Sequence, residues 1–313
     1  MKYPLLLRPG VLLIAVMLAG VANALSGSSE RETIASAGAL VHTGKIQQAE
    51  ALLQQASQAS PQSVLLHEAL GELFFQEKKF EDSVLELTLA VQIDPSSRQY
   101  NMLLASALIG WTHFDVAVDF LHAAESRFGQ FPEFHYYLGI AQFNMNKVDL
   151  AKVEFERTLH LAPDFDRAQF LLAKCLMSQG KQDEALPLYR NLVKQHEENP
   201  IYWVSLAEAL ETSGADETAA LRAGRRAVAL APNNAFSLFT LATILIRAEA
   251  FSSALPLLEK ASRIDPIAIP PHLALARTYA RLNKPLLAQK QTKIVDQLQR
   301  QTGSGNAPTG LVQ

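Results

Sequence analysis

Proline spacing constrains this chain more than any other feature. Pro61 and Pro95 stand 34 residues apart, Pro95 and Pro163 stand 68 apart, and Pro232 and Pro266 again stand 34 apart. The last four close apolar runs, in the strings QIDP, HLAP, ALAP and RIDP. A fixed period of this length marks a repeat architecture, in which one supersecondary unit is copied along the chain. The segments ending at Pro95 and Pro266 align without a gap. Leu70-Gly71 falls on Leu241-Ala242, Phe74 on Leu245, Ser83 on Ala254, Leu87 on Leu258 and Ala90 on Ala261.

Each copy reads as two short amphipathic helices joined by a tight turn. In the copy ending at Pro95, Leu66, Leu70 and Phe74 recur at i, i+4 and i+8 on a first helix expected over 63–76. Lys78-Lys79 makes a polar turn, and a second helix is expected over 80–93. Gly71 and Ala90 are small where neighbouring helices must approach. Pro95 stops the second helix, since it lacks an N–H and clashes with the turn before it. The composition agrees. Hydrophobic residues make up 49% of the chain and glycines number only 15, a helix-former's palette. No stretch alternates β-branched or aromatic residues with polar ones, as a strand would.

This pattern resembles the tetratricopeptide repeat. That family's signature is a large residue, then Leu-Gly or Leu-Ala, then an aromatic or Leu. A small residue, a large one and Ala follow on the second helix, and Pro closes the unit. The pattern continues through Leu104-Ala105 with Leu121, Leu138-Gly139 with Phe155, and Leu172-Ala173 with Tyr189. The unit holding Tyr189 reads as stretched before Pro200. Trp203 with Leu206-Ala207 opens a unit with one extra residue before Pro232. His272 with Leu275-Ala276 opens the last, and Ala37, Leu40 and Ala49 mark a weaker first. The resemblance implies an all-α, right-handed superhelical solenoid of about eight helix-turn-helix units over residues 25–301. A single hairpin of this kind cannot bury its apolar face alone, so stacking on neighbours completes the core.

The two ends differ from the repeats. Lys2 and Arg8 precede an uncharged apolar run from Gly10 to Val21, followed by Ala22-Asn23-Ala24. This is the layout of a cleaved secretory signal peptide, expected over 1–24. The alternative, a retained anchor, needs roughly 20 apolar residues. The chain carries 28 basic and 31 acidic residues, so loss of Lys2 and Arg8 leaves 26 against 31, a net −5. Residues 302–313 read as a disordered tail. The expected location is periplasmic or extracellular, with no membrane insertion after cleavage.

Little in the sequence points to chemistry. No HExxH, GxxxxGK[ST], GxSxG or CxxC string occurs, so no enzyme, cofactor or metal is expected. No basic stripe suggests nucleic acid. Cys175 is the single cysteine, which excludes an intrachain disulfide, and it reads as a small buried hydrophobe. His67 and His135 take the large-residue place of the repeat and read as packing residues with satisfied polar atoms.

Function is therefore expected in binding. The resemblance implies that first helices line a concave face where a protein or peptide partner docks. Carried over residue by residue, that face holds Glu68, Glu72, Phe75, Met102, Ile109, Tyr136, Ile140 and Phe143. It continues with Phe170, Lys174, Met177, Phe236, Phe239, Ile246, Arg247, Arg277 and Arg281. Its middle is apolar and aromatic, as protein-binding surfaces often are. Its ends are acidic at Glu68 and Glu72 and basic at Arg277 and Arg281. The Lys, Asn and Arg with which one variant of the family clamps a C-terminal carboxylate are missing from the first units. The expected function is a non-catalytic interaction scaffold. The alternative is an accessory subunit that recruits substrate to a separate enzyme or envelope export machine. Self-association through the apolar face is a further possibility.

Overall fold

The computed structural model describes residues 29–214 and 216–303, which form sixteen helices and no strand. The chain divides into two compact units that meet in sequence after Leu161. The first unit holds four helix pairs: α1 (29–42) with α2 (Ile46–Ala59), α3 (Val64–Gln76) with α4 (Phe80–Ile93), α5 (Arg98–Gly110) with α6 (Phe114–Phe128), and α7 (Pro132–Asn144) with α8 (Val148–Leu161). The second holds another four: α9 (Asp166–Ser178) with α10 (Gln182–Gln195), α11 (Pro200–Ser213) with α12 (Glu217–Leu230), α13 (Ala235–Arg247) with α14 (Phe251–Ile264), and α15 (Ile269–Arg281) with α16 (Pro285–Gly303). Consecutive helices pack on each other in each unit, and first helices also touch the next first helix, as in α3–α5, α5–α7, α11–α13 and α13–α15. The fold class is thus the all-α helix-pair solenoid expected from the sequence, in eight copies.

The repeat is written in the backbone as well as in the side chains. One residue in each turn within a pair has a positive φ. In the first unit these are Gly44, Lys78, Thr112 and Asn146, each 34 residues after the last. In the second they are Gly180, Gly214, Glu249 and Asn283. The one step of 35 there, from Gly214 to Glu249, locates the extra residue. The helix after the turn starts two residues beyond the positive-φ residue in α10, α14 and α16, but three beyond Gly214 in α12. Pro200 has a different role from the one expected. It sits in the first turn of α11, where a missing N–H costs nothing. The preceding copy therefore has ordinary length, with Glu197 at the place held by Pro61, Pro95, Pro163, Pro232 and Pro266 in other copies and by Gly129 in one.

Small residues set the distance between paired helices. A Cβ on Gly71 would lie 2.5 Å from Leu87 Cγ, and one on Gly139 would lie 2.7 Å from Phe155 Cε1. Leu66, Leu70, Leu87, Leu121, Phe134, Phe155, Tyr189 and Leu258 are among the largest fully or almost fully buried side chains. Each contributes roughly 1.5–3 kcal/mol by leaving water.

In six of the copies the fourth residue of the first helix closes the copy onto the one before; in α13 that place is held by the apolar Leu238. His67 Nε2 donates to the Pro61 carbonyl at 3.1 Å and its Nδ1 lies 2.7 Å from the Glu86 carboxylate. His135 repeats this with Gly129 at 2.8 Å and Glu154 at 2.6 Å, and His272 with Pro266 at 3.1 Å and Gln291 at 2.7 Å. Asn101, Gln169 and Trp203 donate side-chain N–H groups to the carbonyls of Pro95, Pro163 and Glu197 at 3.2, 2.8 and 2.8 Å. A buried carbonyl at the end of a helix must find a donor, and this position supplies it. The two histidines expected to pack with satisfied polar atoms do so.

The last helix runs to Gly303, two residues into the expected tail. The expected signal segment 1–24 and residues 304–313 lie outside the described residues. Among the described residues no helix is long and apolar enough to cross a membrane.

Candidate functional site

The fifth, ninth and twelfth residues of each first helix fall on one face, at i, i+4 and i+7. In the first unit they are Glu68, Glu72 and Phe75 on α3, Met102, Ser106 and Ile109 on α5, and Tyr136, Ile140 and Phe143 on α7. Glu72 and Phe75 are exposed, Phe75 at 36%. Glu68 is half-buried and accepts a bond from the Gln99 amide. Its pKa is raised, first by burial and then by repulsion from Glu72, against the Gln99 bond. The Phe75 ring meets Phe80 edge-on at 5.4 Å. Between α3 and α5 this face opens into a cavity of about 210 Å³, lined by Glu72, Phe75, Gln76, Leu87, Leu103 and Ser106. Phe75, Leu87 and Leu103 make its apolar wall, Gln76 and Ser106 are polar, and Glu72 supplies one carboxylate.

Tyr136, Ile140 and Phe143 are half-buried on α7. The Tyr136 ring lies 5.5 Å from Tyr137 and 6.4 Å from Phe155. Met102 departs from the expectation of an open groove residue. It is only 7% exposed and packs in the core with Ala105, Leu121 and Phe134. Its thioether chain is flexible enough to fold inward and fill a gap between helices.

In the second unit the corresponding residues begin with Phe170, Lys174 and Met177 on α9. Phe170 is half-buried, 5.4 Å from Tyr202 and 6.1 Å from Tyr189, with Lys174 Nζ 5.8 Å from its ring centroid. Phe236 on α13 is 52% exposed, whereas Phe239 and Ile246 lie partly buried against the core shared with α15. Arg247 is not a free cation: its Nη2 lies 2.8 Å from Glu211. Arg277 and Arg281 on α15 are exposed, and Arg281 sits 5.7 Å from the Phe251 ring.

The sequence reading passes over α11, which brings Glu208 and Glu211 to the same face. The register alone could have found them, as ninth and twelfth residues of their helix. Glu208 is half-buried, and its pKa is pushed up to about 7. Burial is the main cause, Lys174 opposes it and Glu211 adds to it. The face therefore mixes aromatic rings with a carboxyl that is poorly solvated. Cys175, on the same helix as Lys174, is fully buried. Among the described residues no group of three His, Cys, Asp or Glu side chains is placed to hold a metal ion.

Comparison with known proteins accords with this geometry. Models of the tetratricopeptide repeat match residues 40–107, 136–190 and 176–235. Over 125 residues the chain is 30% identical to the Hsp70-Hsp90 organising protein of Plasmodium falciparum (isolate 3D7). That alignment covers 38% of this chain and 22% of the relative, so the chain spans about a fifth of the relative's length. A crystallised tetratricopeptide repeat protein from Parabacteroides merdae ATCC 43184 matches with a TM-score of 0.62 and 17% identity, over 80% of this chain and 99% of that one. YrrB, described as a TPR protein with an unusual peptide-binding site, matches with a TM-score of 0.50 and 19% identity, over 59% of this chain and 95% of that one. At such identities the structural likeness speaks for the fold.

Proposed function

Because this chain belongs to the tetratricopeptide repeat family, we propose that it is a non-catalytic scaffold whose first-helix faces each take a segment of a protein partner, outside the cytoplasm. The family's repeats bind protein or peptide partners, which supports the general class. The observation that carries the finer reading is the cavity between α3 and α5. At about 210 Å³ it has room for one apolar side chain, with Glu72 at its mouth to meet a cation beside it. Helix-groove recognition works in this way, through apolar anchors seated in pockets and polar groups at the rim. In the second unit, Phe170 with Tyr202 offers a second aromatic surface of the same kind. The extracytoplasmic location rests on the composition of residues 1–24.

Site-directed crosslinking in intact cells tests this. A photoreactive residue is placed at Phe75, at Phe170, or at Leu85, which is 60% exposed on the second helix α4. The expected result is one defined adduct from Phe75 and Phe170 and none from Leu85. With the photoreactive residue at Phe75, the joint variant Tyr136→Ala, Phe170→Ala and Phe239→Ala should lose that adduct. Equal labelling from all three sites, or an unchanged adduct in the variant, would overturn the reading. Fractionation of the same cells tests the location, which fails if the chain stays with the cytoplasm.

A further inference from the structure

The second unit holds a larger opening on another face. A cleft of about 590 Å³ lies between α10 and α12, with α11 as its floor. Its origin is a break in the repeat. In three other copies the fourth residue of the first helix faces a sizeable side chain nineteen positions on: His67 meets Glu86, His135 meets Glu154 and His272 meets Gln291. Counting the extra residue, the matching pair on α11 and α12 is Trp203 and Ala223. Ala219 stands one turn earlier on α12. The large side chain that would cover Trp203 is missing, so the half-buried Trp203 lies at the base of the opening, with Leu206 and Leu210 buried behind it. The volume falls within the range of ligand pockets.

The rim has one dominant sign. Arg190 and Lys194 form an i, i+4 row on α10, and Arg222 and Arg226 form another on α12. Like charges at that spacing repel within a helix, and here two such rows border one cleft. Arg226 is paired with Glu198 at 2.8 Å, and Glu197 also lines the cleft. Among the described residues Arg190, Lys194 and Arg222 have no ion-pair partner. Uncompensated charge around apolar walls in a chain of net −3 calls for an occupant that supplies both acid and hydrocarbon.

We propose that the cleft between α10 and α12 binds an acidic protein segment, with one apolar side chain seated over Trp203 and its carboxylates on Arg190, Lys194, Arg222 and Arg226. A bare anion would leave the exposed part of Trp203 wet, and a neutral hydrophobe would leave the cations unmatched. This site lies on the opposite side of α11 from Glu208 and Glu211, so it is independent of the first-helix face proposed above.

The test uses the full chain and a fluorescein-labelled acidic hexapeptide with one leucine (Glu-Asp-Glu-Leu-Asp-Glu), read by anisotropy at low salt. Three competitors accompany it: the same peptide with alanine for leucine, one with lysine for each acid, and phosphatidylglycerol vesicles. The expected result is saturable binding that weakens on the order of tenfold with the alanine peptide and disappears with the lysine peptide. Arg190→Glu with Arg222→Glu should abolish it. Lys290→Glu with Lys293→Glu on α16, which carries the same charge change, should not. Ala223→Leu fills the cleft without altering charge and should weaken binding on the order of tenfold. Leucine already occupies the matching place at Leu188 and Leu257, and Ala219→Leu repeats the test from the rim should Ala223→Leu fail to fold. Wild-type affinity in both filled variants, equal loss in the α16 control, or binding of the vesicles in place of the peptide would overturn the proposal.

Discussion

Glu208 offers a sharp check on the electrostatics of the first-helix face, through Glu208→Gln. Its carboxyl is displaced from 4.5 to about 7 by burial, with Lys174 opposing and Glu211 adding. Between those values the folded chain holds a proton that the unfolded chain has lost. Stability therefore falls as pH rises across that window and levels off above it. The linkage has a ceiling of about 3 kcal/mol. Glu208 is half-buried, and screening by water reduces the expected figure to about 1–2 kcal/mol. Glutamine keeps the shape and never ionises. The groups facing Glu208 are Lys174 from α9, Tyr189 from α10 and Glu211 on its own helix, and all are common to both proteins. Urea unfolding at about pH 4.5 and about pH 8, followed by circular dichroism, should give nearly equal stabilities at the lower pH. At the higher pH the variant should be more stable by ~1–2 kcal/mol. A difference of the same size at both pH values would refute the assignment of a strained, buried carboxylate at this place.

Other perturbations follow from the packing and the turns. Gly139→Leu drives side-chain atoms into Phe155, whose ring is already 2.7 Å from the first added carbon. It should cost about 1–3 kcal/mol or more in unfolding free energy. Gly38→Ala, with nothing within 4 Å of the added carbon, should instead stabilise by roughly 0.5–1 kcal/mol. Thr112 is β-branched at φ 63°, so Thr112→Gly should raise the unfolding free energy, read from a urea titration, by a net of about 0.5–1 kcal/mol once the freer unfolded chain is counted. His135→Leu strips the Gly129 carbonyl of its donor and leaves the buried Glu154 with Arg157 alone, at a cost of about 2–3 kcal/mol. The Glu154 bond holds the His135 pKa above 6.5 against the effect of burial. That contribution is full below 6.5 and is lost as pH rises through the folded value, so the gap to wild type should narrow on going alkaline.

Most of the helix layout was legible because periodicity and sterics speak together. The expected second helix over 80–93 is α4, and Gly71 is small where Leu87 approaches. What the sequence hid has two physical sources. The first is chemical diversity at a conserved geometry. His67, Asn101, Gln169 and Trp203 share no class beyond an N–H that reaches a carbonyl six residues back, so residue type alone does not announce the role. The second is side-chain freedom. Met102 and Tyr136 occupy the same place in successive first helices, yet the flexible Met102 is buried while the rigid Tyr136 stays half-exposed. Helical phase predicts where a Cα sits, and it does not predict which way an unbranched side chain folds.

The α11–α12 pair is where the departures accumulate. It carries the extra residue after Gly214, a Trp–Ala pair where three other copies set His against Glu or Gln, and Gly224 where Leu87, Leu121, Phe155, Tyr189 and Leu258 fill their own copies. A Cβ on Gly224 would come within 3.1 Å of Leu241, so α12 is drawn close to α13 on one side while a cleft stands open toward α10 on the other. On the far side of α11, Glu211 stands where the neighbouring first helices have Met177 and Ile246, and Glu208 where they have Lys174 and Thr243. In a solenoid each copy needs only to satisfy its two neighbours. A copy that breaks several rules at once can persist only if adjacent pairs supply the lost burial. Leu238, Leu241 and Ile244 on α13, each under 7% exposed, supply it here. The stability that α13 lends to its neighbour is what leaves α11 and α12 free to carry poorly solvated charge on one face and a half-buried Trp203 on the other.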